Sequence, residues 1–228
     1  MRIKYFTHFA LGFLLLQSCA NLQNAAKYEL ADGNYKLKID AKSYKVYANN
    51  SPDSLLIHNL DSKSVKSLPN VSMINIPEKF LLIKPSIDVD VLTTLFKWRG
   101  EVIGILPMQM NANFNGNIYL GYRRDLYIIK YKRNAINEFN RKIDHIAFGA
   151  GLFGGLGNTA LNPSTTNNKI TTEYDGVVVQ KGIAGIFGLN KLTVGIAIVF
   201  DNLIGIDRKY WIYQNKPWLG FMLGLNLN

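Results

Sequence analysis

KLTVGIAIVFDN, residues 191–202, decides the reading of this chain. Taken alternately, one face is Leu192, Val194, Ile196, Ile198 and Phe200, and the other is Thr193, Gly195, Ala197, Val199 and Asp201. Strict alternation is the mark of a half-buried β-strand. In a water-soluble sandwich the bulky face would point inward, and glycine and alanine would be left outward, where they weaken a strand. In a transmembrane β-barrel the faces reverse. The bulky residues meet lipid, and the small and polar ones fit a narrow interior.

The same rule recurs through the second half of the chain. His145–Gly155 sets Ile146, Phe148, Ala150 and Leu152 against Ala147, Gly149 and Gly151. Gly116–Asp125 sets Ile118, Leu120 and Tyr122 against Tyr119, Gly121 and Arg123, and Leu126–Arg133 sets Tyr127, Ile129 and Tyr131 against Ile128, Lys130 and Lys132. Ser86–Trp98 sets Val89, Val91 and Leu95 against Asp88 and Asp90, and Pro217–Asn228 sets Leu219, Phe221, Leu223, Leu225 and Leu227 against Gly220, Met222, Gly224, Asn226 and Asn228. Charges fall opposite the apolar stripe, as they must where a lipid-facing charge costs about 2–4 kcal/mol. Gly176–Gly188 breaks the rule, because Lys181 falls among Val177, Val179, Ile183 and Phe187. A bulge near Gln180–Gly182 or a lysine reaching to the membrane interface would accommodate it.

Eight strands are expected, at 86–98, 102–110, 116–124, 126–133, 145–156, 172–188, 192–201 and 218–228. The fold class is therefore all-β: an eight-stranded antiparallel up-and-down transmembrane barrel over 86–228, with a small N-terminal β-region. An even count returns both ends to one side. The tight turn at 189–191 and the long connections 157–171 and 202–217 fit short inner turns and long outer loops. The eleven-residue connection 134–144 does not fit, and a short helix in NEFNRKID is one way to fill it.

The first half reads differently. Residues 1–18 carry Arg2 and Lys4, then a short apolar core from Phe9 to Leu16, which is the grammar of a secretory signal. Leu16-Gln17-Ser18-Cys19 resembles a bacterial lipobox, making Cys19, the sole cysteine, the expected lipidation site. Loss of residues 1–18 removes Arg2, Lys4 and no acid, lowering the formal charge from +10 to +8. A basic body on a lipid tether suits an anionic membrane surface. No basic helix, stacking motif or zinc spacing points to nucleic acid. Residues 19–27 form a tether, and residues 28–85 a periplasmic, lysine-rich β-region with strands near 33–39, 44–48 and 54–60. A mean hydropathy of +0.01 leaves no room for a bundle of membrane helices.

FNGNIYLGYRRDLY (114–127), LNPSTTNNKITTEYDGVVVQKGIAGIFGLN (161–190) and DRKYWIYQNKPWLGFMLGLNLN (207–228) resemble a family of small, largely uncharacterised outer-membrane barrel proteins of Bacteroidota-type bacteria. The resemblance covers about residues 80–228 and implies a location and a fold rather than an activity. Ala20-Asn21-Leu22-Gln23 lacks the acidic cluster that resembles the surface-export signal of such bacteria, so the lipid is expected in the periplasm-facing leaflet. One departure is Asn228, where barrels commonly close with an aromatic residue.

Candidate sites follow from these faces. Asp88, Asp90, Arg123, Lys130, Lys132 and Asp201 would form a lumenal charge network. It would serve as internal glue in a filled barrel or as the lining of a narrow ion path. Arg208, Lys209, Tyr210, Trp211, Tyr213 and Trp218 would sit at headgroup level, touching lipid phosphates or lipopolysaccharide. No nucleophile stands at a recognisable spacing from His58 or His145, and GLFGGLG (151–157) lacks the lysine of a phosphate loop. No enzyme, metal or cofactor is expected. The expected role is structural or surface-interacting, as a monomer, with any external or periplasmic protein partner unspecified. The competing readings are a lipid-anchored, lipocalin-like soluble barrel holding an apolar ligand, and a narrow small-ion channel.

Overall fold

The computed structural model describes residues 28–39, 42–113 and 115–225, with the Leu225 side chain excepted. The signal segment, Cys19, the tether and Asn226–Asn228 lie outside the described residues. The described chain is all-β and antiparallel, apart from two 3-10 turns at Ser164–Thr166 and Ile206–Lys209. Among the described residues no helix is long and apolar enough to cross a membrane.

Five short strands come first: β1 (Gly33–Ile39), β2 (Lys42–Asn50), β3 (Ser54–Asn59), β4 (Val65–Pro69) and β5 (Val71–Ser72). Then follow β6 (Phe80–Arg99), the three-residue β7 (Gln109–Asn111), β8 (Asn115–Arg133), β9 (Phe139–Leu161), β10 (Tyr174–Leu189), β11 (Leu192–Leu203) and β12 (Pro217–Leu225). Each of β6, β8, β9, β10, β11 and β12 pairs with the next, and β12 pairs back onto β6, from Trp218 opposite Arg99 to Leu223 opposite Thr93. The sheet thereby closes into a ring.

That ring has six strands, not the eight expected, for two local reasons. Residues 102–110 form no long strand. Pro107 lacks a ladder donor, Gly104 sits at φ +76°, and only a lone Val102–Leu106 bridge and β7 pair there. Conversely, 116–124 and 126–133 are one strand. Asp125 reads as a turn residue, yet it is buried and takes hydrogen bonds from Arg123 Nε at 2.9 Å and from His145 at 2.8 Å.

The connection at 134–144 is mostly strand, with no helix. β9 begins at Phe139, and the turn is pinned by the Asn134 side-chain oxygen, which accepts from the backbone N–H of Ile136 and Glu138. One end of the six-stranded ring carries the tight turn at Asn190, whose φ is +50°. The other carries three longer connections, 100–114, 162–173 and 204–216.

β6, β8 and β9 run 20, 19 and 23 residues, well past the ring at its turn end. There they join a second set of pairings. β6 pairs with β1, followed by β2, β3 and β4, and the chain passes through Asn70 into β5, which pairs with β9. Arg141 Nη1 donates to the Leu68 carbonyl at 2.8 Å and Tyr131 Oη to the Pro69 carbonyl at 2.6 Å, closing that seam. This second body is filled with apolar side chains, among them Leu37, Val46, Leu55, Ile57, Phe80, Leu82, Tyr127 and Ile129.

The long strands hold their pleat phase as they pass from one body to the other, yet their polarity inverts there. On β8 the inward face runs Tyr119, Gly121, Arg123, Asp125, Tyr127, Ile129. In the ring half the apolar residues Ile118, Leu120 and Tyr122 point outward and are exposed. In the second body the buried apolar residues Tyr127 and Ile129 point inward, Lys130 is half-exposed and Lys132 exposed. The expectation that Lys130 and Lys132 are lumenal and Tyr127, Ile129 and Tyr131 outward is therefore reversed. β6 inverts likewise, with Phe80 and Leu82 inward but Ile87, Val89 and Val91 outward.

Two details of register correct the sequence reading further. β10 pairs without interruption on both sides, so the bulge expected near Gln180–Gly182 is absent and Lys181 points outward, exposed. A register shift lies instead on β6, where Phe221 faces Phe96 and Met222 faces Thr94, leaving Leu95 extra. That bulge turns both Leu95 and Phe96 outward and Lys97 and Arg99 inward.

Candidate functional site

The ring presents a continuous apolar belt around a charged, tightly filled interior. On the outside stand Ile87 and Val91 of β6, 80% and 77% exposed, with Ile118, Leu120, Phe148, Leu152, Leu156, Ile183, Ile196 and Leu219 on the other strands. These are the faces that alternation predicts for β6, β8, β9, β10, β11 and β12. Phe148 and Phe187 stack at 5.2 Å near the turn end, and Arg124 lies 5.9 Å from the Tyr122 ring beside them. Trp98, half-exposed, stands near the loop end opposite Leu219. The charged side chains on this outer face are Lys181, within the belt, and Arg124, at its turn-end edge opposite Phe148.

Inside, the predicted charges divide into two clusters rather than one network. At the turn end Arg123 bridges Asp88 at 3.3 Å and Asp125 at 2.9 Å, and His145 Nε2 meets Asp125 at 2.8 Å. Tyr127 stacks on His145 at 4.9 Å, which joins this cluster to the apolar core of the second body. Asp90 lies on the same inward face, half-buried. At the loop end Asp201 takes Arg99 Nη2 at 2.6 Å, Lys97 Nζ at 3.5 Å and Gln180 Nε2 at 2.9 Å. The Arg99 guanidinium lies 4.8 Å from the Tyr213 ring and 5.1 Å from that of Trp211, and Lys97 Nζ lies 5.0 Å from Trp218.

Lys97 and Arg99 escaped the sequence reading, although a signal for them exists. Unbroken alternation from Asp88 would put Lys97 and Arg99 into the belt. Two charges on an otherwise apolar face break the pattern, and the adjacent pair Leu95-Phe96 marks where the parity changes.

The aromatic loop is likewise corrected. Trp211, Tyr213 and Trp218 are buried inside the ring's loop end and do not form a headgroup girdle. The segment folds back over the mouth, tied by Ile212 N to the Thr165 carbonyl at 3.0 Å and by Asn215 N to the Asp201 carbonyl at 3.0 Å. Of the predicted surface set, Arg208, Lys209 and Tyr210 stay outside, with Lys209 Nζ 4.7 Å from the Tyr210 ring.

Between the two clusters little space remains. Tyr119, Phe153, Ile186, Val199 and Met222 fill the centre. Gly121 and Gly151 face each other across β8 and β9, where a Cβ on Gly121 would lie 2.1 Å from Tyr119 Oη and one on Gly151 2.4 Å from Gly121 Cα. Paired ions joined to packed aromatics thus fill the closed sheet.

Outside the ring, Asp144 is held below the usual carboxylate range by a hydrogen bond from Lys130, then by Lys142 at 3.4 Å, against the opposing effect of burial. Burial and the charges of Asp125 and Asp32 push the Tyr35 phenol up to about 12, and burial with Asp125 drives that of Tyr127 up as well. No group of three or more His, Cys, Asp or Glu side chains is placed to hold a metal ion among the described residues. In comparison with known proteins, the chain matches no family model, no curated protein and no solved structure.

Proposed function

We propose that the ring is a β-barrel embedded in a bacterial outer membrane, holding the second body on the periplasmic side. The observation that carries this reading is the inversion of polarity along β6, β8 and β9 at constant pleat phase. A strand wholly in water has no reason to exchange its buried face for an apolar exposed one. A strand leaving water for lipid must do so. Exposed apolar patches of this extent mark a surface that something apolar covers.

The dimensions agree. The outward apolar runs extend from Phe148 to Leu156 on β9 and, interrupted by Lys181, from Val177 to Leu189 on β10. At about 3.3 Å per residue and a tilt of about 40°, they rise about 20–30 Å, bracketing the ~25 Å apolar band of such barrels. Arg124 and Lys191 lie at one edge and Lys216 at the other, at headgroup depth. Six strands are fewer than the eight with which single-chain outer-membrane barrels begin. The filled interior and the inward glycines suit that narrowness. The role is anchoring and presentation. The barrel fixes the periplasmic body to the membrane and exposes the loops 100–114, 162–173 and 204–216 outside, while Cys19 supplies a second, lipid anchor. The family resemblance of residues 80–228 belongs to this proposal.

Trp98 faces the belt while Trp211 and Trp218 face inward, which provides the test. In vesicles of brominated lipid, a variant keeping only Trp98 should lose most of its fluorescence, and one keeping Trp218 should not. Equal quenching of the two, or none, rejects the membrane-embedded ring.

A further inference from the structure

At the loop end the ring opens into a cavity of about 500 Å³ that the membrane reading leaves without a task. Arg99 and Tyr213 line it, together with β7 and the segment after β9, which bring Gln109, Asn111, Asn162 and Ser164. The size suits one or two sugar rings.

Three observations define what would fit. First, no Asp or Glu lines the cavity. An amino group or a metal ion would find no counter-charge among the lining residues. Second, the buried charges beneath it do not balance: Lys97 and Arg99 share the single carboxylate of Asp201. Third, Arg99 Nε and Tyr213 Oη have no hydrogen-bond partner, in side chains only 3% and 4% exposed. A buried donor left unmade is costly, more so for a charged group, and calls for an explanation. An anionic ligand oxygen supplies one. The other polar lining groups are neutral amides and hydroxyls, which both donate and accept and so complement vicinal hydroxyls.

We propose that this cavity binds a small acidic sugar, its carboxylate received by Arg99 and Tyr213 and its hydroxyls by Gln109, Asn111, Asn162 and Ser164. The inference goes beyond the membrane reading. Binding in detergent does not depend on what covers the belt, so failure here leaves that reading intact.

Isothermal titration of the full chain in micelles with D-galacturonate, D-galactose and acetate tests it. Galacturonate should bind at least tenfold more tightly than either of the others. Tyr213→Phe, which deletes only an unpaired hydroxyl, should weaken galacturonate binding about 3–10-fold. Arg99→Gln should weaken it tenfold or more, with the mobility shift of the unheated protein on gels checking that this variant folds. Galacturonate no tighter than galactose, acetate as tight as galacturonate, or unchanged affinity in Tyr213→Phe each overturns the proposal.

Discussion

Replacing Asp201 with asparagine tests the idea that the ring interior is dry and electrostatically closed. The carboxylate lies 2.6 Å from Arg99 Nη2 and 3.5 Å from Lys97 Nζ, and all three side chains are almost wholly buried. At an effective dielectric of about 20 these attractions amount to about 6 and 5 kcal/mol. Several kcal/mol return because a buried carboxylate no longer needs desolvating, and the amide keeps one acceptor. The expected net loss is about 3–5 kcal/mol, the range for stranding a charge by removing its partner. Lys97→Met alone should cost little, because the desolvation of a buried ammonium offsets most of its attraction and Arg99 still pairs with Asp201. Added to Asp201→Asn, it should recover about 1–2 kcal/mol by removing one of the two stranded cations. The assay is urea unfolding of protein in lipid vesicles, with the folded fraction read from the mobility of unheated samples on gels. Asp201→Asn within 1 kcal/mol of the parent, or an additive double variant, would show that water reaches both cations and refute the reasoning.

Four further outcomes concern other parts of the molecule. Leu152→Lys, on the belt, should cost about 2–4 kcal/mol in vesicles. Leu55→Ala, in the second body, should cost about 2–5 kcal/mol and leave membrane association unchanged, as carbonate washing would register. Gly151→Ala forces a Cβ to within 2.4 Å of the Gly121 backbone, so a loss of about 1–3 kcal/mol is expected; an unaffected midpoint in the same urea series would mean that β8 and β9 can separate there. The Tyr35 phenol, raised to about 12 in the fold from its ordinary value of 10.0, stays protonated while the unfolded chain ionises. Its stabilisation is complete below pH 10 and fades as pH rises toward 12. Tyr35→Phe should flatten the pH dependence of unfolding across that window, and an unchanged slope would exclude Tyr35 as its source.

Much of this architecture is written locally. Each strand of the ring announces its outer or inner face in a period of two, because a pleated strand sends neighbouring side chains to opposite sides. Gly195, Ala197 and Gly220 fall inward for that reason alone, and Val178 and Leu192 can be assigned from their neighbours. What the alternation leaves open is where its phase changes meaning. Between Arg123 and Tyr127 the pleat continues while the surroundings pass from one body to the other, and no residue in that stretch says so. Asp125 reads as a turn until Arg123 and His145 are seen to hold it. His145 arrives from a different strand, across a pairing that no local pattern encodes. The bulge at Leu95 depends in the same way on β12, whose ladder slips by one residue there. The cluster of Lys97, Arg99 and Asp201 exists because ring closure joins the first and last strands of the ring to β11. Trp211, Tyr213 and Trp218 pass from surface candidates to buried ones because 204–216 folds back across the mouth. Face alternation is a property of a single strand, settled by steric and solvation preferences along a few residues. Strand number, charge pairing and the cavity beneath the loops arise only once distant strands are hydrogen-bonded in register, and it is that register which brings Arg99 beneath Gln109 and opposite Trp218.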